Sequence, residues 1–465
     1  MRIPQITLTA VIILATQFSV FSQNQTNFQK DSTMLRQIFD ETLENGRAYE
    51  DLRSLTKDIG ARLAGSASAD MAVEWGYNKL NSYGFDKVYK QEIEVPHWER
   101  GTTEKAWYTD TDGNIHQLNI LALGGSVATE GPLQAELVHF KTREDLQNAK
   151  KKDVKGKIFF ISQPMDQKMI ETFDAYGACY PIRGLGAIDA AKKGAKAVII
   201  RSLSLSEHPH PHTGTMQYED GVTKIPAAAI STMDATTLEK HMMTTRGVTK
   251  LMIEMNCQTF PPKKSHNVIA EITGSENPNH IITVGGHLDS WDVGEGAHDD
   301  GAGIVHSMEA ARTLIALNYQ PKNTIRVVFF MNEENGNMGG KTYAELMGQS
   351  KENHIAAIES DRGGFTPRGF SLDGNDRQLK LLLSFTKLFE PYLLQQLEEG
   401  YGGVDITPLK SEFKDIALFG FVPDSQRYFE IHHNANDVFE TVNKRELHLG
   451  AASISSLIYL LDNYL

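Results

Sequence analysis

Between Gly285 and Gly303 the chain reads GGHLDSWDVGEGAHDDGAG, which holds two histidines, four aspartates and a glutamate. Other stretches share this character. Asn332-Glu333-Glu334 follows TIRVVFFM, Asp361 follows HIAAIES, and His432-His433, with Asp437 four residues on, follows RYFEI. Carboxylates crowded together repel, and holding them is costly unless positive charge lies among them. No lysine falls in these junctions, and Arg362 alone cannot balance so many acids. Histidine, aspartate and glutamate together are the donor set of zinc and its neighbours. Two ions sharing a bridging carboxylate and a bridging hydroxide would absorb the charge. Asp299, on a tight turn beside a second aspartate, is placed to be that bridge. Asp289, two residues beyond His287, can orient the imidazole from behind. Of the adjacent Glu333 and Glu334, one can bind metal while the other faces the attacking water as general base. A lone histidine at a strand end is usually structural, and a Glu-Glu pair is usually a solvated turn. The coincidence of five such junctions, at His287, at Asp299-Asp300, at Glu333-Glu334, at Asp361 and at His432-His433, favours a metal. The conspicuous HPHPH, with His208, His210 and His212, reads differently. In a polyproline-like stretch, residues two apart point about 240° apart, so the three imidazoles should diverge, on a loop reaching over the site.

The elements that must carry these residues follow from periodicity. VYKQEIEV alternates as a strand, and NVIAEITG and IITVGG read as strands. TIRVVFFM is almost wholly apolar, as in a strand buried on both faces of a sheet. Gly301 opens a helix with Ile304, Met308, Ala311 and Ile315 on one face. GGKTYAELMGQ, DRQLKLLLSFTKLFEPYLL and residues 444–463 read as further helices, and HIAAIES and RYFEI as strands. Upstream, Met71, Trp75, Tyr77 and Leu80 have helical spacing, with Gly84 as a C-terminal cap. From about residue 125 the texture changes. GKIFFIS is a strand, LGAIDAAKK a helix closed by Gly194, then a strand, and KIPAAAIS another strand. Alternating strands and helices imply a sheet with helices on both faces, and ligands then bind outside the carboxyl ends of the strands. That edge is where the acidic junctions fall.

Composition narrows the class. The chain has 465 residues, is 40% hydrophobic and 23% charged, and therefore can bury ordinary cores in two or three domains. Its formal net charge of −13 argues against nucleic-acid binding. Arg2 precedes ITLTAVIILATQFSVFS, with small residues before Gln23, so residues 1–22 read as a secretory signal peptide and the protein as secreted or periplasmic. No other stretch approaches the ~20 apolar residues of a spanning helix, and stable membrane insertion is not expected after cleavage. Cys179 and Cys257 are too few for a zinc finger or a disulfide framework, and whether they pair stays open.

HLDSWDVGEGAHDDGAG, NEENGNMGG, ESDRGG and HHNAND together resemble the co-catalytic di-zinc aminopeptidase and glutamate carboxypeptidase superfamily. VPHWERG, PHTGTMQYEDGVTKIPAAAIS and LDSWDVGEGA narrow the likeness to its plasma glutamate carboxypeptidase branch. The resemblance implies a three-layer α/β/α zinc exopeptidase fold with an inserted protease-associated α/β domain. Its parts would be residues 23–124 and 261–465 as the catalytic domain and 125–260 as the insertion, seated over the cleft. It also implies two Zn2+ per subunit, one held by His287 and Asp361 and one by Glu334 and His433, with Asp299 bridging. Glu333 would be the general base, Asp289 would support His287, and the Asp299-Asp300 peptide bond would be cis. His298 and Val438 depart from the residues usual in the superfamily, and His432 beside His433 is a rival for the last ligand. The expectation is a homodimeric exopeptidase acting on small peptides, above all dipeptides with free termini. The alternatives are a plain aminopeptidase on longer peptides and a non-catalytic binding homologue.

Overall fold

The computed structural model describes residues 27–465; the expected signal peptide lies outside the described residues. Two eight-stranded mixed sheets organise the chain. In the first, the strand order is Lys87–Glu99, Gln258–Ile272, Asn323–Phe330, Asn277–His287, Asn353–Glu359, Ala417–Pro423, Pro367–Asp373 and Gln396–Glu399. The four strands Asn323–Phe330, Asn277–His287, Asn353–Glu359 and Ala417–Pro423 run parallel at its centre. They are the near-continuous apolar segments, because helices cover both faces. Alternation divides them: Val327 and Phe329 face one core with helices Ala302–Ala316 and Lys444–Tyr464, while Val328 and Phe330 face another with Tyr343 and Leu409.

The second sheet draws its strands from residues 104–255, in the order Ile115–Leu118, Glu104–Thr109, Lys250–Met255, Leu133–Phe140, Ile158–Ile161, Ala197–Arg201, Ala227–Ile230 and Ile120–Ala122. Helix Thr172–Lys192 packs on one face with Phe159 and Val198, and helix Thr232–Thr244 sits on the other with Phe160 and Ile199. The two units are joined by apolar side chains. Trp291, from the acidic loop of the first unit, sits in the core of the second against Gly124, where any Cβ would strike the indole. Arg100 clamps the same seam, donating to Asp292 on one side and to Ala122 O on the other.

Some segments depart from the sequence reading. RYFEI is a short helix, Tyr428–Ile431, and not a strand; the sheet strand is Ala417–Pro423, ending at Pro423-Asp424. Five residues, three of them apolar, are too few to carry a period that separates the two. Helix Thr172–Lys192 begins well before LGAIDAAKK and runs through Gly177, Pro181, Gly184 and Gly186, residues that mask it in sequence. DRQLKLLLSFTKLFEPYLL breaks into Asp376–Ser384, Thr386–Phe389 and a 3-10 turn. In helix Ala67–Ser82 the buried face is Ala69, Ala72, Val73, Gly76 and Leu80, while Met71 is exposed; Gly76 sits so close to Phe329 that a Cβ would stand 2.9 Å from its ring. Gly84 does follow the helix with φ +79°, the left-handed turn a glycine favours.

Candidate metal centre

His287 ends the central strand Asn277–His287, so its side chain emerges at the carboxyl edge of the sheet. Its backbone N–H donates to Asp300 Oδ2 at 3.0 Å, and its Nδ1 meets the backbone oxygen of Asp289 at 3.0 Å. That carbonyl can only accept, so Nδ1 carries the proton and Nε2 presents a lone pair. Nε2 stands 3.2 Å from Asp299 Oδ1 and 3.4 Å from Asp361 Oδ1. On the other side, Asp299 Oδ2 is 3.2 Å from His433 Nε2, which is 3.2 Å from Glu334 Oε2. One carboxylate thus faces two groups of donors. Ligands at ~2.0–2.1 Å from a tetrahedral zinc stand about 3.3 Å from one another, which is the spacing found here.

His287 Nε2, Asp299 Oδ2 and Asp361 Oδ1 are buried with no hydrogen-bond partner among the described residues. Buried polar atoms left unpaired are costly, and these converge with the donor chemistry of a zinc site. The residues fit the ion. His432 competes with Glu334 for the second group: it forms a close cluster with Asp299 and His433. Its Nε2 is 3.8 Å from Asp299 Oδ2, however, and its ring stacks on His433 at 3.5 Å between centroids. Glu334 makes the shorter approach.

The twin glutamates have different surroundings. Glu334 is buried, with Oε1 accepting from Trp291 N and Oε2 toward His433. Glu333 is half-buried and lines the cleft. Asp289 holds both. Its Oδ1 accepts from Asn332 N at 2.7 Å and Glu333 N at 3.1 Å, and Oδ2 accepts from Glu334 N at 3.4 Å. Its carboxylate stands 3.7 Å from His287 Nδ1, so the imidazole is oriented by the Asp289 main chain, while the side chain shapes the glutamate loop.

The electrostatics follow from burial. With only side chains to balance them, Glu334 is pushed up to about 7 by burial and then by Asp299. Asp361 is raised by burial and by Asp299, and Glu333 rises well above the carboxylate range through burial, Asp361 and Glu334. Against its own burial, His433 is raised to about 9 by Glu334 and Asp299. Acids in this state resist ionisation until a cation joins them, and they would bind one.

Supporting residues surround the centre, and of these Arg62 and Thr213 carry no sequence signal of their role. Arg62, fully buried in GARLAG, donates to Leu288 O at 2.6 Å, Glu295 O at 2.8 Å and Gly296 O at 2.9 Å, and so pins the acidic loop from behind. Asp437 accepts from His298 N at 2.7 Å and Asp299 N at 3.1 Å, fixing the turn that presents Asp299, where the Asp299-Asp300 bond is cis. Thr213, in the second unit, donates its N–H to His433 O at 3.0 Å. The HPHPH imidazoles do not all diverge as expected: His208 and His212 meet with their Nε2 atoms 3.0 Å apart, because residues four apart return to one side in the bent loop. A cleft of about 1060 Å³ opens beside the centre, lined by Glu333, Asp361 and Arg362 and, from helix Thr172–Lys192, by Tyr176, Tyr180 and Arg183. Cys179 and Cys257 are buried, unpaired thiols in different cores.

A model of peptidase family M28 matches residues 267–458. Carboxypeptidase Q of Homo sapiens is 34% identical over 419 residues, covering 89% of this chain and 85% of the relative. The crystal structure of a peptidase M28 precursor from Shewanella amazonensis SB2B is 34% identical and superposes with a TM-score of 0.86, covering 94% of this chain and 97% of the other. A zinc aminopeptidase from Bacillus subtilis, 22% identical with a TM-score of 0.63 over 90% and 95% of the two chains, shares the fold.

Proposed function

The chain belongs to peptidase family M28, alongside carboxypeptidase Q, and from that premise we propose that this metallo-exopeptidase is a di-zinc enzyme cleaving small peptides, chiefly dipeptides with both ends free. The observation that carries the two-metal reading is Asp299, whose Oδ1 and Oδ2 each stand 3.2 Å from a different histidine nitrogen. His287 and Asp361 would hold one ion, Glu334 and His433 the other, with Asp299 between them. Zinc there would polarise the substrate carbonyl and acidify a water.

The chain's own groups supply the rest. Glu333, on the cleft wall, would take the water's proton and return it to the leaving amine. Asp289 fixes the backbone from which Glu333 projects. The cleft is at the upper end of small-ligand sites, and the helix Thr172–Lys192 on its far wall supports a roofing role for the segment 125–260 as a protease-associated module. Arg362 lines the cleft beside Asp361, its guanidinium 5.2 Å over the Phe173 ring, and is our candidate for the substrate carboxylate. Export rests on Arg2 and the apolar run after it, and homodimerisation on the resemblance; mature N-terminal mass and sedimentation check these two.

The deciding experiment is metal analysis beside a matched series: free dipeptide, N-acetyl form, C-amide form and a longer peptide with the same first residues. Two zinc ions per chain are expected, with kcat/KM falling at least roughly tenfold, about 1.4 kcal/mol, when either end is blocked. Equal rates on free and C-amidated forms would mean a plain aminopeptidase, and no turnover of any member would favour the binding homologue.

A further inference from the structure

We propose that His212, in the HPHPHTG stretch of the second unit, is a positioning residue that holds the metal-facing His433 in place through Asn434. The inference rests on the two-zinc reading above and adds to it a side chain from outside the catalytic sheet.

His433 stands at φ +62°, in the left-handed region. For a residue with a Cβ this costs on the order of 1 kcal/mol, and such a backbone persists only where its surroundings over-determine it. The surroundings are contributed from two sides. Within the turn, Asn434 Nδ2 donates to Glu430 O at 2.8 Å, and Asn434 Oδ1 accepts from Asn436 N at 2.7 Å. These two bonds fix which end of the amide is which. The end facing the second unit is therefore N–H, and it meets His212 Nε2 at 3.0 Å. His212 must accept there, which sets its tautomer.

His212 is itself anchored. It is buried, its N–H donates to Ser202 Oγ at 2.8 Å, and Ser202 Oγ donates to Ile230 O at 2.7 Å, beside the end of strand Ala197–Arg201. His208 Nε2 lies 3.0 Å from the same His212 nitrogen. The next residue closes the link: Thr213 N–H donates to His433 O at 3.0 Å, and His433 Nδ1 lies 3.3 Å from Thr213 O. A proton on Nδ1 directed at that carbonyl leaves Nε2 free toward Asp299 and Glu334. Arg183 Nη1 donates to the same Thr213 oxygen at 3.3 Å and stands 3.3 Å from His433 Nδ1. The path from sheet to centre runs Ser202, His212, Asn434, His433, and the His212 side chain is the link that meets the HHNAND turn from outside it.

The test uses the full-length protein loaded with zinc, in chelator competition with metal counted per chain, and repeated with Co2+ to read the ligand-field spectrum. Outer partners of metal-bound histidines are worth about 10–100-fold in affinity. His212→Ala should weaken one metal of the two by about tenfold, change the cobalt spectrum of that site alone, and leave the other metal unmoved. His212→Gln, whose amide oxygen can accept from Asn434, should restore most of the loss. Asn434→Ala, which also removes the bonds to Glu430 and Asn436, should weaken the same metal at least as much as His212→Ala, and the double variant should lose no more than Asn434→Ala. Wild-type retention of both metals in His212→Ala overturns the proposal. So does an equal loss of both ions accompanied by a lowered melting temperature, or a His212→Gln variant as weak as the alanine. A wild-type protein that takes up only one metal would instead defeat the two-zinc reading, and that result is visible before any variant is made.

Discussion

Asp289→Asn separates two ways in which a carboxylate near a metal-binding histidine can act. If Asp289 served His287 through its side chain, the variant would disturb the His287 and Asp361 ion. The geometry says otherwise, because the carboxylate accepts three main-chain N–H groups from Asn332, Glu333 and Glu334. An asparagine can keep Oδ1 on Asn332 and Glu333, but it sets an amide N–H₂ against the N–H of Glu334. Hydrogen bonds to a charged acceptor contribute about 1.5–3 kcal/mol, and the facing donors add repulsion. A loss of ~1.5–3 kcal/mol in the presentation of Glu333 corresponds to about 10–150-fold in kcat. The assay is steady-state kinetics on a good dipeptide, with metal content measured on the same sample. The expected result is a fall in kcat within that range, with any loosened metal being the one beside Glu334 and His433. A variant within threefold of wild type, or one that loses the His287 ion selectively, would refute the assignment.

Other outcomes follow from the same geometry. Glu333→Gln should retain its metal and lose at least ~100-fold in turnover, the scale of a positioned proton-transfer group, while Glu334→Ala should lose metal in equilibrium dialysis. Cys179 and Cys257 should both be alkylated in denatured, unreduced protein, read by intact mass, since each is an unpaired buried thiol; labels appearing only after reduction would show a disulfide. His306 is fully buried, and burial depresses it to about 3. Its unfolded form takes a proton near pH 6.5, so its contribution is complete above that pH and is lost as pH falls toward 3, by up to about 1.4 kcal/mol per unit. Denaturant titrations at pH 7 and pH 5 should show a shallower loss in His306→Asn than in wild type.

What could be seen in the sequence was the material whose chemistry is local. His287, Glu333, Glu334 and Asp361 each stand at or within a few residues of the end of an apolar strand, and the donors proposed for a metal must be of such residue types wherever they occur. The supporting residues are another matter. Arg62 acts on carbonyls of residues 288–296, more than 220 positions away, and an arginine between alanine and leucine announces nothing. Thr213 acts through its peptide group, which every residue has. The early part of helix Thr172–Lys192 was hidden because Pro181 and its glycines read as breakers, although Gly184 is needed where the Tyr180 ring lies 2.9 Å from a Cβ.

The same distinction explains why HPHPH misleads. Its histidines catch the eye as ligands, and a regular polyproline geometry sends them apart. The loop is not regular: it bends so that His208 and His212 meet. His212 then spends its lone pair on Asn434, and the buried Ser202 fixes its main chain. A histidine with both its main chain and its Nε2 committed is unsuited to ligating an ion and well suited to holding something that does. The proposed metal centre therefore draws on both sheets. The first would supply the donors, His287 and Asp361 at or near its strand ends, and Asp299 and His433 from the loop after Asn277–His287 and from beyond the short helix Tyr428–Ile431. The second supplies the contacts that keep His433, a residue in a disfavoured backbone state, directed at Asp299. Removing the second unit should leave the donors of the first in the chain but release His433 from the position at which its nitrogen completes the site.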